Sequence, residues 1–421
     1  MTEPRRRPLR ARAVALLVTL LALAGALAPA APAAEPQVSA PAALAVELST
    51  GDVVFDRRAD QQRAIASTTK LMTALVTLER GKDLDARIAV PRYPATPGES
   101  LANLHPGDRM TVRDLLGGLM LPSGNDAAYA LARGVGGSVD AFVGLMNARS
   151  RELGLRARFR NPIGLDARGH HASAADLVKL TLLLRRYPVF REIVDSRSLR
   201  LTSASPAITV ENRNTLVQTI PWVDGVKTGH TSQAGYALVA SGRRHGVSVV
   251  TVVLGTDSEA ARDRDSLALL RYALGRYRRV TAVRRGAAVG RLPLRYRDAR
   301  VALRADAAVV RTARRDERLS TRLVGTPADV EGPLPAGTRL GTIEVRQRGR
   351  VVARVPAVTA TAVAKATFWE RLDDELARGP VRALVVVAVV LLAALAVLLA
   401  RHRRGSGRPP RGGVRRASRT P

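Results

Sequence analysis

The stretch Ser67-Thr-Thr-Lys70-Leu-Met-Thr-Ala-Leu-Val-Thr-Leu78 carries apolar residues at helical spacing and is followed by Gly81. This spacing predicts a helix that opens at Ser67. Residues three apart share a face of a helix, so Ser67 and Lys70 are expected to point to the same side. Backbone N–H groups and the dipole at a helix start favour negative charge on a serine oxygen there. The stretch therefore places a potential nucleophile beside a potential base.

Lysine is rare in this chain, which makes its positions informative. Of 67 basic residues, five are lysine: Lys70, Lys82, Lys179, Lys227 and Lys365. Arginine stays protonated at any pH that proteins meet, whereas lysine can lose its proton when its pKa is lowered. Burial, or a nearby cation such as Lys227, would lower the pKa of Lys70 enough for a general base.

A second motif, Ser123-Gly124-Asn125, follows Pro122 and predicts a tight turn. Such a turn can project the Ser123 hydroxyl into a cleft, where it would relay a proton to a leaving amine. The carboxamide of Asn125 offers both a donor and an acceptor to a substrate amide. Without the other motifs, this sequence would indicate only a turn followed by a helix.

A third motif, Lys227-Thr228-Gly229, lies on a predicted strand. The ammonium of Lys227 and the hydroxyl of Thr228 can hold a carboxylate, and Gly229 allows a substrate backbone to lie close. The backbone N–H groups of Ser67 and His230 are candidate donors to an oxyanion.

The order of predicted elements indicates a mixed α/β fold. A strand hairpin over residues 45–55 precedes a run of helices, and strands at 223–230, 235–241 and 247–255 precede a helix over about 258–277. We expect these to form one catalytic domain, residues 35–279. Residues 280–363 show short alternating segments divided by turn residues, which predicts a small β-sandwich domain.

Both ends indicate export and attachment to a membrane. Residues 1–33 combine a basic start, an apolar stretch and small residues, which is typical of a signal peptide cleaved after Ala30 or Ala33. Residues 383–400 are uncharged and long enough to cross a bilayer. Eight arginines in the tail, residues 401–421, favour a cytoplasmic location for it. The catalytic domain is then expected on the outer, cell-wall side of the cytoplasmic membrane.

Composition excludes some classes of protein and leaves the origin of the positive charge open. There is no cysteine, so thiolate chemistry and disulfides are excluded. The six histidines lack metal-binding spacing, and we expect no metal and no cofactor. The net charge of +31 could favour nucleic acid, but aromatic residues make up only 3% and no nucleic-acid motif is present. We expect no nucleic-acid partner; the charge reflects either an arginine-biased composition or attraction to anionic wall polymers.

The three motifs together resemble those of the D-alanyl-D-alanine carboxypeptidases, the low-molecular-mass penicillin-binding proteins. Further similar segments begin at Leu121, Asn161, His171 and Val226. The resemblance covers most of the chain and implies a penicillin-binding, transpeptidase-like fold. It also implies a serine-type carboxypeptidase that acts on peptidoglycan pentapeptides ending in D-Ala-D-Ala, with β-lactams as covalent inhibitors.

By this resemblance, Ser67 is the acyl-ester nucleophile, Lys70 the general base and Ser123 the proton relay. The substrate-binding residues are then Asn125, Lys227, Thr228, Gly229, His230 and Arg262, where Arg262 resembles an arginine that helps to bind the terminal carboxylate. Many relatives end in an amphipathic helix, whereas this chain is expected to span the membrane.

Three alternatives compete with this interpretation. A D,D-endopeptidase of wall cross-links uses similar chemistry and stays open. A class A β-lactamase needs a loop glutamate for deacylation, and the only glutamate between Arg151 and Asp166 is Glu152, within a helical pattern. A non-catalytic wall scaffold would be expected to lack at least one of the motif residues, and all are present.

Overall fold

The computed structural model describes residues 34–80, 83–377 and 379–405. The predicted signal peptide and most of the basic tail lie outside these residues. The described chain divides into two compact units, the first ending at Arg279 and also containing Thr312–Asp316, the second comprising Val280–Arg311 and the chain after Asp316.

The first unit is a mixed α/β structure. Its strands are β1 (Ala42–Glu47), β2 (Val53–Arg57), β3 (Arg87–Ala89), β4 (Arg109–Thr111), β5 (Ser198–Leu201), β6 (Ile208–Glu211), β7 (Val223–Thr231), β8 (Gly235–Arg244) and β9 (Val247–Thr256). Its helices are α1 (Lys70–Arg80), α2 (Val112–Met120), α3 (Asn125–Gly136), α4 (Val139–Glu152), α5 (Ala174–Leu184), α6 (Pro188–Asp195), α7 (Thr215–Thr219) and α8 (Glu259–Arg276), and a 3-10 turn, Ala66–Thr69, precedes α1.

Five strands form an antiparallel sheet in the order β2-β1-β9-β8-β7. Side chains of successive residues point to opposite faces of a strand. On β1, Leu44 and Val46 join the core formed with α1–α6, whereas Ala43 and Ala45 join the core formed with α8. Because helices cover both faces, the central strands are apolar almost throughout. Strand β7 lies at one edge, which leaves one side of its backbone unpaired within this sheet.

Local sequence signals explain the element boundaries. Thr111 and Ser258 cap α2 and α8 through their hydroxyls, and Ser173 forms a capping box with Asp176 at the start of α5. The turn between β8 and β9 is only His245-Gly246, both at positive φ, so β8 extends three residues beyond the predicted strand, residues 235–241. The predicted mixed α/β fold is confirmed. The short pairs β3–β4 and β5–β6 and helices α6 and α7 were not predicted, because they are too short to show periodicity.

The second unit contains an antiparallel five-stranded sheet in the order β11-β12-β16-β15-β14. Its strands are β11 (Ala288–Pro293), β12 (Arg300–Ala305), β14 (Ser320–Val324), β15 (Arg339–Gln347) and β16 (Arg350–Thr359). Strands β10 (Tyr277–Val283) and β13 (Val309–Arg314), which each include residues assigned to both units, form a separate two-stranded sheet. Buried Leu303, Val345 and Ala357 lie in its core. The expected small all-β region is confirmed, and its sandwich arrangement stays a prediction.

Two helices follow the strands. Helix α9 (Phe368–Ala377) was not predicted, and α10 (Gly379–Gly405) contains the apolar stretch. Within α10, residues Arg382–His402 are long and apolar enough to cross a membrane, and no part of that segment is buried inside the protein. Leu384 and Leu398 expose 73% and 62% of their surface. An exposed apolar helix of this length is consistent with a single membrane anchor.

Candidate active site

The first motif brings its serine and lysine together. Ser67 lies in the 3-10 turn, and Lys70 is the first residue of α1. The helix therefore starts three residues later than the sequence predicts, yet the geometry is retained because residues i and i+3 eclipse one another in a 3-10 turn. The Nζ atom of Lys70 lies 3.0 Å from the Oγ atom of Ser67.

Lys70 is fully buried, and its Nζ atom has three hydrogen-bond partners. Besides Ser67, Nζ donates to the Oδ1 atom of Asn125 at 2.7 Å and to the backbone oxygen of Ile163 at 2.8 Å. Burial lowers the pKa of Lys70 to about 7, because a charged amine loses its hydration. The carboxylates of Asp126 and Glu99 oppose this shift, and the nearby cation of Arg213 adds to it.

The three partners suit a neutral lysine that accepts a proton. A neutral amine has two N–H donors and one lone pair, whereas an ammonium has three donors. The oxygens of Asn125 and Ile163 can only accept, so they hold the two N–H donors. The third partner is Ser67, whose hydroxyl accepts from the protonated form of Lys70 and can donate to the lone pair of the neutral form. The site thus orients the base toward the nucleophile in the form that can remove its proton.

The second motif contains a strained serine, two residues before the Asn125 that contacts Lys70. Ser123 has a φ of 65°, in the left-handed region that non-glycine residues rarely adopt. Its Oγ atom is buried and has no hydrogen-bond partner within residues 34–80, 83–377 and 379–405. Glycine is required at the next position, Gly124, because a Cβ atom there would lie only 2.8 Å from Ala102 and from the Gly118 carbonyl oxygen. An unpaired hydroxyl of this kind is available to a substrate or to a proton in transit.

The loop that begins at Asn161 supplies part of the lysine site. The Asn161 side chain accepts hydrogen bonds from the backbone N–H groups of Ile163 and Gly164 and thereby fixes the turn. This turn presents the Ile163 carbonyl to Lys70. Gly164 has a φ of 93°, and a Cβ atom on it would overlap the carbonyl group of Ala66. Glycine is therefore required where this loop packs on the nucleophile's turn.

The third motif lies on edge strand β7. Lys227 is buried, and its Nζ donates to the backbone oxygen of Thr228 at 3.1 Å. No described carboxylate lies within ion-pair distance of it, so it has donors to spare. Burial lowers the pKa of Lys227 well below its usual value, and the cations of Lys70, Arg213 and Arg262 add to this. A buried ammonium with spare donors is a site for an anion.

Strand β7 also approaches the nucleophile directly. A Cβ atom on Gly229 would lie 3.1 Å from the backbone nitrogen of Ser67. The adjacent residue, His230, is exposed, and its ring stacks on Tyr236 with the centroids 4.0 Å apart. The backbone of β7 therefore runs beside the N–H group of Ser67, which is a candidate donor to an oxyanion.

Arg262 lies in the first turns of α8 and is 3% exposed. Its guanidinium donates to Glu259 at 2.7 Å and to Asp263 at 2.8 Å. Its charge acts on Lys227, so it lies on the side of the cleft where a carboxylate is expected. The structure thus brings together Ser67, Lys70 and Asn125 by direct contact and places Lys227 and Arg262 within electrostatic reach.

Several cleft residues were not identified from the sequence. Glu99 accepts from the Nδ2 atom of Asn125 at 2.7 Å, and Arg213 donates to the Ser100 hydroxyl. Glu99 lies in an irregular loop after Pro97-Gly98, so no periodicity marks it. Arg213 is one arginine among many, and no motif includes it.

His170 has a structural contact in the described chain. Its Nε2 lies 2.8 Å from the hydroxyl of Thr69, and its Nδ1 accepts from the backbone N–H of Arg160. Burial lowers the pKa of His170 to about 4, which keeps the ring neutral at neutral pH. The neutral ring thus supports the turn that carries Ser67.

Four features together define a class of protein: a serine on a 3-10 turn, a buried lysine three residues later, a second serine, and a lysine on an adjoining strand. This is the arrangement of acyl-serine hydrolases that recognise penicillin.

Comparisons with known proteins assign the family. The family model described as D-alanyl-D-alanine carboxypeptidase matches residues 29–258. The D-alanyl-D-alanine carboxypeptidase DacD of Salmonella typhimurium is 34% identical over 356 residues, which cover 80% of this chain and 90% of the relative. The chain therefore belongs to the D-alanyl-D-alanine carboxypeptidase family, a family of serine hydrolases.

Solved structures agree with this assignment. The carboxypeptidase DacD from Francisella tularensis has a TM-score of 0.57 at 26% identity, covering 82% of this chain and 98% of its own. Penicillin binding protein 5 from Haemophilus influenzae also has a TM-score of 0.57, at 27% identity, covering 79% of this chain and 99% of its own. The predicted family and enzyme class are confirmed.

Proposed function

We propose that this enzyme removes the terminal D-alanine from peptidoglycan stem peptides through an acyl-enzyme on Ser67. The observation that carries the proposal is the contact between the Ser67 hydroxyl and the Nζ atom of Lys70, a buried amine whose pKa is about 7. At neutral pH a large fraction of such a lysine is unprotonated. It can therefore take the serine proton as the oxygen attacks.

Acylation begins when the Ser67 oxygen bonds to the carbonyl carbon of the penultimate D-alanine and its proton passes to Lys70. The carbonyl oxygen becomes an oxyanion, which the N–H groups of Ser67 and His230 stabilise. The C–N bond then breaks, and the leaving amine takes a proton from Lys70 through the unpaired hydroxyl of Ser123. Water later attacks the ester carbon and gives a proton to Lys70. The bond between that carbon and the Ser67 oxygen breaks, Lys70 returns the proton to Ser67, and the shortened peptide is released.

Substrate binding is assigned to the residues around this centre. The ammonium of Lys227 and the hydroxyl of Thr228 bind the terminal carboxylate, and Arg262 supports this end of the cleft by its charge. Gly229 lets the peptide lie along the open edge of β7, and Asn125 contacts the amide on the acyl side. A β-lactam presents its amide and carboxylate to the same groups and is expected to acylate Ser67.

A labelling experiment tests the nucleophile. Fluorescent penicillin is added to the full-length protein in detergent, and release of D-alanine from a peptide ending in D-Ala-D-Ala is measured in parallel. Ser67→Ala should abolish both signals while the thermal midpoint stays near that of the wild type, because the change removes a single oxygen. Labelling that survives Ser67→Ala would identify a different nucleophile. Activity on a cross-linked muropeptide dimer, greater than on the pentapeptide, would favour an endopeptidase.

We also propose that residues 383–400 span the cytoplasmic membrane, with the catalytic unit outside and the arginine tail inside. The support is an exposed apolar helix, α10, followed by a basic tail. Carbonate or high salt should then fail to release the protein, and a chain truncated after Pro380 should be soluble and active. Protease added to cells stripped of their wall should digest the catalytic unit and leave the tail protected. A tail that is cleaved from outside would refute this topology.

A further inference from the structure

Glu99 contacts the catalytic centre through one intermediate side chain. Its Oε2 atom accepts a hydrogen bond of 2.7 Å from the Nδ2 atom of Asn125, whose Oδ1 atom in turn accepts from Lys70 at 2.7 Å. Asn125 is only 4% exposed, so water does not compete freely for its amide. A continuous chain of hydrogen bonds therefore runs from Glu99 through Asn125 and Lys70 to Ser67.

Glu99 is itself held in place by several donors. Tyr93 donates its hydroxyl to Oε2, and the backbone N–H and hydroxyl of Thr96 donate to Oε1. Burial by itself opposes ionisation, but hydrogen bonds from Thr96, Tyr93 and Asn125 outweigh it and lower the pKa of Glu99 to about 2. The carboxylate is therefore ionised at any pH at which the enzyme works.

An ionised carboxylate decides which way the Asn125 amide faces. A carboxylate only accepts hydrogen bonds, so the amide must turn its nitrogen toward Glu99 and its oxygen toward Lys70. The flipped amide would place an oxygen against the carboxylate and an NH₂ group against the lysine. With the observed orientation, the amide nitrogen of Asn125 faces Glu99 and the Tyr93 hydroxyl, and its oxygen faces Lys70.

We propose that Glu99 is a positioning residue, which acts through Asn125 to orient its amide and thereby to fix Lys70. This inference rests on the function proposed for Ser67 and Lys70. It assigns Glu99 two effects that can be separated. The carboxylate orients the amide by hydrogen bonding, and its negative charge favours the protonated form of Lys70.

The charged groups around Lys70 come from several elements. Asp126, on α3, also favours its protonated form and is a larger contributor than Glu99. The cations of Arg213 and Lys227 act in the opposite direction, the first on Lys70 and the second by mutual repulsion with it. Removing the Glu99 charge should therefore lower the pKa of Lys70 while leaving the stronger contribution of Asp126 in place.

Two variants separate the two effects in the full-length protein, with Glu211→Gln, an exposed carboxylate on β6, as the matched control. Glu99→Gln keeps an oxygen for Asn125 but removes the charge. Its acylation rate by fluorescent penicillin should show a rising pH limb displaced by roughly half a unit to lower pH, with a maximal rate within about twofold of wild type. Glu99→Ala removes the acceptor as well, and the maximal acylation rate should fall roughly tenfold to a hundredfold.

A merely structural role would give a different pattern. If Glu99 only supported its loop, both variants would lower the thermal midpoint and the fraction of labelled protein, and the pH limb of the remaining active protein would not move. Either that result or a wild-type rate in Glu99→Ala would overturn the proposal. Ser67→Ala, measured in parallel, separates this proposal from the proposed function. If Ser67→Ala is still labelled, Ser67 is not the nucleophile. If Ser67→Ala is not labelled but Glu99→Ala is labelled at the wild-type rate, only the role of Glu99 is refuted.

Discussion

Charged side chains have opposite environments in the catalytic cleft and in the sheet of the second unit. In the cleft, Lys70 and Lys227 are buried, no described carboxylate forms an ion pair with either, and burial lowers both pKa values. In the second unit, Glu344 is paired with Arg346 at 3.0 Å and with Arg354 at 3.2 Å, and these arginines expose 38% and 66% of their side chains. The first arrangement makes cations reactive, and the second pairs a mostly covered carboxylate with arginines that remain in contact with water.

Replacing the buried base should give the largest effect. Lys70→Arg keeps a positive charge but removes the proton acceptor, because a guanidinium does not lose its proton in this pH range. We expect the acylation rate to fall by roughly 10³-fold or more, measured by fluorescent penicillin on the full-length protein. The thermal midpoint serves as the folding control. A folded variant that labels at close to the wild-type rate would show that Lys70 is not the base.

The second buried lysine should be more tolerant. Lys227→Arg retains a cation for the substrate carboxylate, although the larger head group has little free space. We expect KM for a D-Ala-D-Ala peptide to rise about tenfold to a hundredfold, with a smaller loss in kcat. Steady-state kinetics that show an unchanged KM and a large loss of kcat would indicate that Lys227 acts in proton transfer instead.

The buried cleft should also make the rate depend on pH. Lys70 must be neutral to accept a proton, and its pKa is about 7, so the neutral fraction grows as the pH rises through 7. Below pH 7 the acylation rate should fall about tenfold per pH unit. At higher pH a decline is expected once Lys227, whose pKa is also lowered, loses the proton that binds the carboxylate. A rate that is flat between pH 5.5 and 7.5 would contradict this assignment.

The exposed pairs of the second unit should give the smallest effect. Glu344→Gln removes the charge that Arg346 and Arg354 share. Because solvent and salt screen such pairs, we expect penicillin labelling to be unchanged and the thermal midpoint to move by less than about 2 °C. The thermal melt is compared with that of Arg350→Gln as a surface control. A larger decrease in the thermal midpoint of Glu344→Gln would show that these ion pairs stabilise the second unit.

Much of the candidate site could be predicted from the sequence because its central residues lie close together in the chain. Ser67 and Lys70 lie three residues apart, and the rarity of lysine made position 70 conspicuous among the basic residues. The strands β7–β9 and helix α8 were predictable from their length and apolar pattern.

What the sequence could not provide was contact between distant segments. Ile163 contributes only a backbone oxygen, which no side-chain motif can reveal. Glu99 lies in a loop without periodicity, and its partner Asn125 is 26 positions away. The start of α1 was displaced because a 3-10 turn and an α-helix share the same three-residue relation, so a sequence pattern does not separate them.

Gly164 and Gly229 pack closely on the turn at Ala66-Ser67. The environment of the nucleophile therefore forms only when distant segments of the chain come together. Its surroundings come from chain segments that stand almost 100 and more than 160 positions further along the sequence. Contacts across such separations form late, because the loops between them must close first. Penicillin labelling of Ser67 should consequently report complete folding of the catalytic unit: a chain arrested before β7 docks would contain the entire first motif and still fail to react.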